Sequence, residues 1–515
     1  MMDWRQFRSL AWMARELPAF VRQPVTLEMA RAELSRRLAT RAERLIASVR
    51  ALIYDQPLSP YRRLLFWAGC EWGDFADSVR RDGVEPTLQR LHRAGVYVSL
   101  EELKGRQPIC RPGLTLEVRA SDFDNPYLLG RGLDTATSGS SGSRARVPFD
   151  WHLMAEHAVN ERLLWNALGL EGRTMTLWLP VPPSVAGIHH ASLAAKCRWP
   201  IVRWFSPTDP CATPWYGRDR LAIAWLRRCC RWYGVQLPAP EHATVEAAPN
   251  VARWVAARAS STMVRCYTSL AVRLAACAEL PGTVFLTGGE PLTETRRRVI
   301  ERAGARAFAR YTATESGMIA GACAKGVRSD DMHVYEDRLA VFGDAQQRLW
   351  ITSLSPLTGK VLLNADLGDC GELERRGCGC ALGAAGLTLH VSCVRSARRL
   401  NAEGMTVLAA DLADWAQELV QQAGGCAEDV QVNEMITETG MTRVRVYVSP
   451  RVTGLDEGEF LRALRSRLAA HSRGGQLAAD VWAQAGTLEL VRQEPSPGAT
   501  GKMLVRRIHA EQSAR

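Results

Sequence analysis

The chain has 515 residues, 47% hydrophobic and 23% charged, an ordinary globular composition with apolar material for more than one domain. No apolar run is long enough to cross a bilayer, and the opening stretch MMDWRQFRSLAWMARELPAF is threaded with charge, unlike a secretory leader. The formal net charge is +11, but only five lysines occur (Lys104, Lys196, Lys325, Lys360, Lys502), so the excess is dispersed arginine. A nucleic-acid binder presents a clustered basic face with interleaved aromatics, and no nucleic-acid partner is expected here. Fourteen cysteines without a leader fit a reducing, cytoplasmic setting, where thiols stay free or bind metal.

In chain order, Trp4, Phe7, Leu10, Ala11, Ala14, Leu17 and Val21 fall on one face of a helix over 4–22, with most of the arginines off it. Such a stripe docks on its own protein first; a membrane surface or partner contact is the alternative. Residues 26–53 read as one further long helix. From about 60 to 390, helical patterns alternate with short apolar strands such as TMTLWLPV (174–181), TVFLTGGE (283–290) and RLWITSL (348–354), which argues for α/β architecture. The basic run TETRRRVIERAGAR (293–306) reads as the solvated face of a helix. After about 396 come a strictly alternating strand, TRVRVYVSP (442–450), a helix (456–471) and another strand (486–493), a small α+β module.

Several stretches carry chemistry. ATSGSSGSRARVP (136–148) offers hydroxyls, a permissive backbone and Arg144; it is either a slack linker or an anion-binding nest. TGGEPL (287–292) follows an apolar strand, where open α/β sheets bind ligands. YTATESG (311–317) sets a ring, a hydroxyl and a carboxylate close together. NADLGD (364–369) places Asp366 after an apolar run. PSPGATGKM (495–503) holds Lys502 in a Gly-rich loop, and arginine cannot replace a lysine used as a compact mobile charge. Cys378 and Cys380, with Cys323 and His333 upstream, have the ligand types of a tetrahedral zinc site, unless they are four unrelated residues. WPIVRWFSP (199–207) either lines a pocket or belongs to the core.

In this order and spacing the pieces resemble the acyl-adenylate-forming superfamily of acyl- and aryl-CoA synthetases, adenylation domains and luciferases. The 136–148 loop looks like its phosphate loop, and YTATE like its Tyr-Gly-x-Thr-Glu motif with Thr312 for the glycine. NADLGD is similar to its Thr-Gly-Asp motif with Ala365 for the glycine, and the C-terminal loop matches its lysine motif. The segments 82–108, MHVYED (332–337) and 394–412 look most like the phenylacetate–CoA ligase branch, some members of which carry a structural zinc.

The resemblance covers roughly 60–515. It implies a helical extension over 1–60, a large domain of mixed sheets flanked by helices over 61–394, and a small mobile α+β lid over 395–515. The implied activity is ATP- and Mg²⁺-dependent activation of a carboxylic acid, an aromatic one by resemblance, as acyl-AMP. Transfer to CoA, an amine or a carrier protein would follow. Ser138, Gly139, Ser140, Ser141, Gly142 and Arg144 would hold the outer phosphates, Glu315 the Mg²⁺ and Thr314 the α-phosphate. Tyr311 would stack on adenine in a pocket shared with Gly288, Gly289 and Glu290. Asp366 and Arg395 would hold the ribose, or form a structural ion pair, and Lys502 would bridge carboxylate and α-phosphate. His189 and His190 would lie near the acyl group. The family's acidic hinge is replaced, with Val394, Ala397 and Arg398 at its glycine and acidic positions. That substitution bears on CoA transfer more than on adenylation, and it motivates a rival in which the chain is a degenerate nucleotide-binding partner protein.

Overall fold

A computed structural model describes residues 4–128, 133–136, 146–182, 184–209, 217–396, 398–495 and 506–508. Among these, twelve strands form one sheet. Six are parallel, in the spatial order Arg306–Ala313, Val284–Gly288, Thr262–Tyr267, Thr174–Trp178, Ile201–Ser206 and Pro240–His242. The other six continue from Arg306–Ala313 in antiparallel pairs: Gly317–Ala322, Met332–Val334, Leu389–Ser396, Ala365–Arg375, Arg348–Ser353 and Leu339–Gly343. The parallel strands Thr262–Tyr267 and Val284–Gly288 are buried nearly throughout, as parallel strands covered on both faces are. They join helices such as Thr268–Cys277 and Glu294–Arg302, giving the alternation that the sequence shows.

Past residue 398, a hairpin of Arg399–Ala402 and Met405–Leu408 leads into a separate four-stranded sheet. Its spatial order is Leu488–Arg492, Thr442–Val448, Val430–Ile436 and Arg506–Ile508, and the helices Ala409–Gln422, Glu457–His471 and Arg473–Ala485 belong to the same region. Thr442–Val448 alternates buried and half-buried side chains, as its apolar alternation requires. The fold is therefore mixed α/β, with a large part built on helix-flanked sheet and a small α+β part after it.

The N-terminal helix Trp4–Arg22 docks on its own protein. Met13, Leu17, Phe20 and Val21 are buried, and the Trp151 and Trp225 indoles donate to the Met13 and Ala14 carbonyls. Of the apolar stripe, Leu17 and Val21 are buried and Ala14 is half-buried, while Ala11 is exposed.

The expected long helix over 26–53 is instead two helices, Leu27–Ala39 and Arg41–Val49, followed by a π turn over Arg50–Tyr54. The break falls at Thr40, whose hydroxyl bonds back to the Arg36 carbonyl at 2.8 Å, an alternative to continuing the ladder. Both helices are tied into the large part, Arg37 of the first donating to the Asp337 carboxylate at 3.3 Å and Arg41 of the second to the Glu336 carbonyl.

The basic helix Glu294–Arg302 is not wholly a solvated face. Arg296 is fully buried, donates to the Gly440 carbonyl and Thr442 Oγ1, and sits 3.3 Å from the Glu290 carboxylate. One guanidinium thus joins the segment after the strand Val284–Gly288 to the C-terminal strand. Removing it strands a buried carboxylate, so Arg296→Ala should cost about 3 kcal/mol in denaturant unfolding; a loss under about 1 kcal/mol would contradict this reading of Arg296.

Candidate functional site

The carboxyl ends of the parallel strands converge on a cavity of about 280 Å³. Leu179, Tyr267, Gly288 and Thr314 mark the four strand ends that reach it. Side chains of Arg306–Ala313 alternate across the sheet. Arg310, Thr312 and Thr314 line this first cavity, and Tyr311 lines a second of about 120 Å³ with Asp369, Asp330 and Arg399. Gly289, Arg310, Thr312 and Thr406 border both. The hairpin 399–408 closes over the pair. Gly404 sits at φ +72°, and a Cβ there would meet the Tyr267 ring at 2.1 Å, so only glycine fits the hairpin tip.

Glu315 is buried and pairs with Lys104 Nζ at 2.5 Å. Burial pushes this carboxyl up, but Lys104 and Arg399 outweigh it and hold the group down at about 2. Glu315 is therefore a permanent carboxylate, the state a hard cation requires. No motif marks Lys104, although it is one of five lysines in an arginine-rich chain.

Several expected placements change. Glu290 lines the second cavity, but its carboxylate is committed to the protein. It accepts from Ser269 N–H at 2.9 Å, Ser269 Oγ at 3.1 Å and Gly404 N–H, and it faces Arg296. It clamps the hairpin to the strand end. Asp366 does not line the cavity; its carboxylate accepts from Gly368 N–H at 2.6 Å at a bulge in the strand Ala365–Arg375. Asp369, later on the same strand, takes the cavity position and accepts from the Tyr311 hydroxyl at 2.8 Å. Burial, with Asp369 close by, drives the Tyr311 phenol well above its ordinary range, so it remains a donor. Arg395 does not meet Asp366; it lies 3.4 Å from Asp330. The aromatic run 199–207 is core: Trp199 packs on Trp165, and the Trp204 indole donates to the Leu179 carbonyl. Gly288 and Gly289 lie where the sequence put them, on the cavity wall. Ser138, Gly139, Ser140, Ser141, Gly142, Arg144 and Lys502 lie outside the described residues, as does Ala397 of the hinge.

A second constellation lies beyond the cavities. One donor atom each from Cys323, His333, Cys378 and His390 falls within 4.8 Å of the others. The expected set had Cys380 where His390 stands. Cys380 Sγ is 3.1 Å from His333 Nε2, but it also accepts from Gly383 N–H, capping the helix Ala381–Ala384. His390 escaped sequence reading because its partner is non-local: it pairs directly with His333 across two antiparallel strands. Both imidazoles are held from behind. His333 Nδ1 is 2.7 Å from the Leu387 carbonyl, and His390 Nδ1 is 2.7 Å from Asp331 Oδ1. These partners assign the Nδ1–H tautomer and turn each Nε2 lone pair toward the thiols. His390 Nε2 is buried with no hydrogen-bond partner among the described residues, an unfilled position that suits a metal.

Because Glu315 sits near 2 in the folded chain against 4.5 ordinarily, its stabilising contribution is complete above about pH 4.5 and lost as pH falls toward 2. Lys104→Ala should therefore lower stability at neutral pH by up to roughly 3 kcal/mol, with the gap to wild type narrowing below pH 4.5 in denaturant titrations. A gap independent of pH would contradict the pairing.

No family model and no curated relative matches the sequence. Solved structures do match. A 2-hydroxyisobutyryl-CoA ligase in complex with 2-HIB-AMP and CoA, in the thioesterification state, is 15% identical with a TM-score of 0.54, covering 92% of this chain and 90% of that one. The amide bond synthetase McbA from Marinactinospora thermotolerans is 14% identical with a TM-score of 0.42, covering 87% of this chain and 92% of that one. The match to the CoA ligase covers 92% of this chain, large sheet and C-terminal module together, and the chain has the fold of that ligase.

Proposed function

We propose that the chain is an ATP-dependent acid ligase that activates a carboxylic acid as acyl-AMP and passes the acyl group to a thiol or amine. One observation carries this: a single strand end separates two adjoining cavities, with Thr314 and the carboxylate Glu315 following directly on it. An acyl-adenylate needs that arrangement, an acyl pocket and a nucleotide pocket meeting at the α-phosphate. Positioning and charge stabilisation supply most of the rate in such a transfer.

In this reading the acyl group occupies the larger cavity. The base lies against Tyr311, and Asp369 takes the ribose role expected of Asp366. Glu315 holds Mg²⁺ when Mg·ATP enters, and Lys104 holds the carboxylate until then. Thr314 bonds the α-phosphate, and Lys502 bridges it to the attacking carboxylate. Ser138, Gly139, Ser140, Ser141, Gly142 and Arg144 bind the outer phosphates. The C-terminal part, from about residue 395, is the mobile lid over the large domain. The preference for an aromatic acid, and for the phenylacetate–CoA ligase branch, rests on the sequence resemblance.

The acceptor is CoA in the first reading, by analogy with the CoA ligase of like fold. An amine or carrier-protein thiol is the second. What favours the second is the hinge: Arg398, at a family acidic position, pairs with Glu101 at 3.2 Å across the parts that must rotate.

Acid-dependent exchange of labelled pyrophosphate into ATP tests the reading. Glu315→Gln and Lys502→Ala should each cut exchange by about 100-fold or more; unchanged exchange in both would overturn it.

We also assign structural zinc to the Cys323–His333–Cys378–His390 cluster, with Cys380 as an alternative thiolate. Protein purified without chelator should hold about one zinc per chain by elemental analysis, and Cys378→Ser or His390→Ala should lose it and lower the melting temperature. Absence of stoichiometric zinc would remove the assignment.

A further inference from the structure

The larger cavity has an unusual floor. Two guanidiniums, Arg265 and Arg310, line it, at 2% and 6% exposure. Both are ion-paired to one carboxylate, Glu161, which is fully buried. In the adjacent network Arg36, Arg37, Arg44 and Arg338 face Glu33, Glu156 and Asp337. At the cavity floor, two cations share one anion, so one buried positive charge lacks a counter-charge. Burying a charge without its partner is among the costlier arrangements a fold can hold.

The donors there are also unspent. Arg265 Nε and Nη1 and Arg310 Nε have no hydrogen-bond partner among the described residues. Three imidazoles surround them. His190 Nε2 is 3.2 Å from Arg310 Nη1, and its Nδ1 is unpartnered; His157 Nδ1 is 3.2 Å from His189 Nε2. Burial, with the guanidiniums adding to it, pushes all three histidines well below their ordinary range. They are neutral and add no charge of their own. The middle of the cavity is apolar, with Leu153, Met154, Leu179, Ala186 and Met318 on its walls. Arg310 lies three residues back from Ala313, roughly 10 Å along the strand from the end where the carboxylate is activated.

A cavity with an apolar middle and a net cationic far end selects an acid charged at both ends. Resting on the acid-activating reading above, we propose that the substrate carries a second carboxylate, separated from the activated one by an apolar spacer, that docks against Arg265 and Arg310 with His190 beside them. The second carboxylate supplies the missing counter-charge, and two guanidiniums then face two carboxylates. The monoacid analogue leaves the same donors buried and unpaired, which is how polar pockets reject analogues lacking the matching group.

The test uses the full-length wild-type chain. Pyrophosphate exchange is measured with straight-chain diacids from succinate to suberate and with 4-carboxyphenylacetate, each against its monomethyl ester and the monoacid of equal length. The expected result is at least one diacid whose kcat/KM exceeds that of its ester and monoacid by about 100-fold. Arg310→Met should narrow that ratio to under about 10-fold. Monoacids or esters exchanging as well as the diacids overturns the dicarboxylate proposal and leaves acid activation standing. No exchange with any acid overturns both.

Discussion

The side chains of Arg306–Ala313 point alternately to opposite faces of the sheet, and this alternation divides the ligand space in two. The same strand is where the sheet changes from parallel to antiparallel pairing. On one side, parallel strands end together and leave a crevice at their carboxyl ends. On the other, antiparallel strands bring Asp369 and Asp330 up beside Tyr311. A one-residue slip would exchange the faces of Tyr311 and Arg310. Both are buried, the pairing with Gly317–Ala322 shifts register between Tyr311 and Thr312, and Ala313 lines the larger cavity.

Arginine does much of the internal electrostatic work. Arg296 joins the strand end to the C-terminal sheet, Arg273 pairs with Glu403 beside the hairpin tip, and Arg265 and Arg310 charge the cavity floor. Guanidiniums stay protonated at any relevant pH and fork to several acceptors at once, which suits fixed internal charge. The rare lysines sit where one compact charge meets one group, as Lys104 meets Glu315 and Lys360 meets Asp124. What composition presents as a diffuse basic excess is thus partly a buried framework.

Local patterns were legible in the sequence. The strands at 174, 284, 348, 442 and 488 and the helix at 457 begin within about two residues of where alternation and periodicity place them. The motif residues Thr314, Gly288 and Gly289 lie on the cavity wall, because each follows a strand whose end the sheet fixes. What the sequence hid was non-local. His390 joins His333 only through pairing of strands nearly 60 residues apart, and Lys104 reaches Glu315 from 211 residues away. Asp366 and Asp369 cannot be told apart by motif: a strand bulge at Gly368 consumes one carboxylate and presents the other. Thr40 ended a helix by a single hydroxyl bond that periodicity does not register.

A crystal structure with a non-hydrolysable acyl-adenylate bound tests the central division most directly. The account places the base against Tyr311 and Asp369, the acyl chain among His157, His190 and Arg310, and the phosphate beside Thr314 at the end of the strand between them. A base seated on the histidines, or an acyl chain on the Tyr311 side, would contradict it.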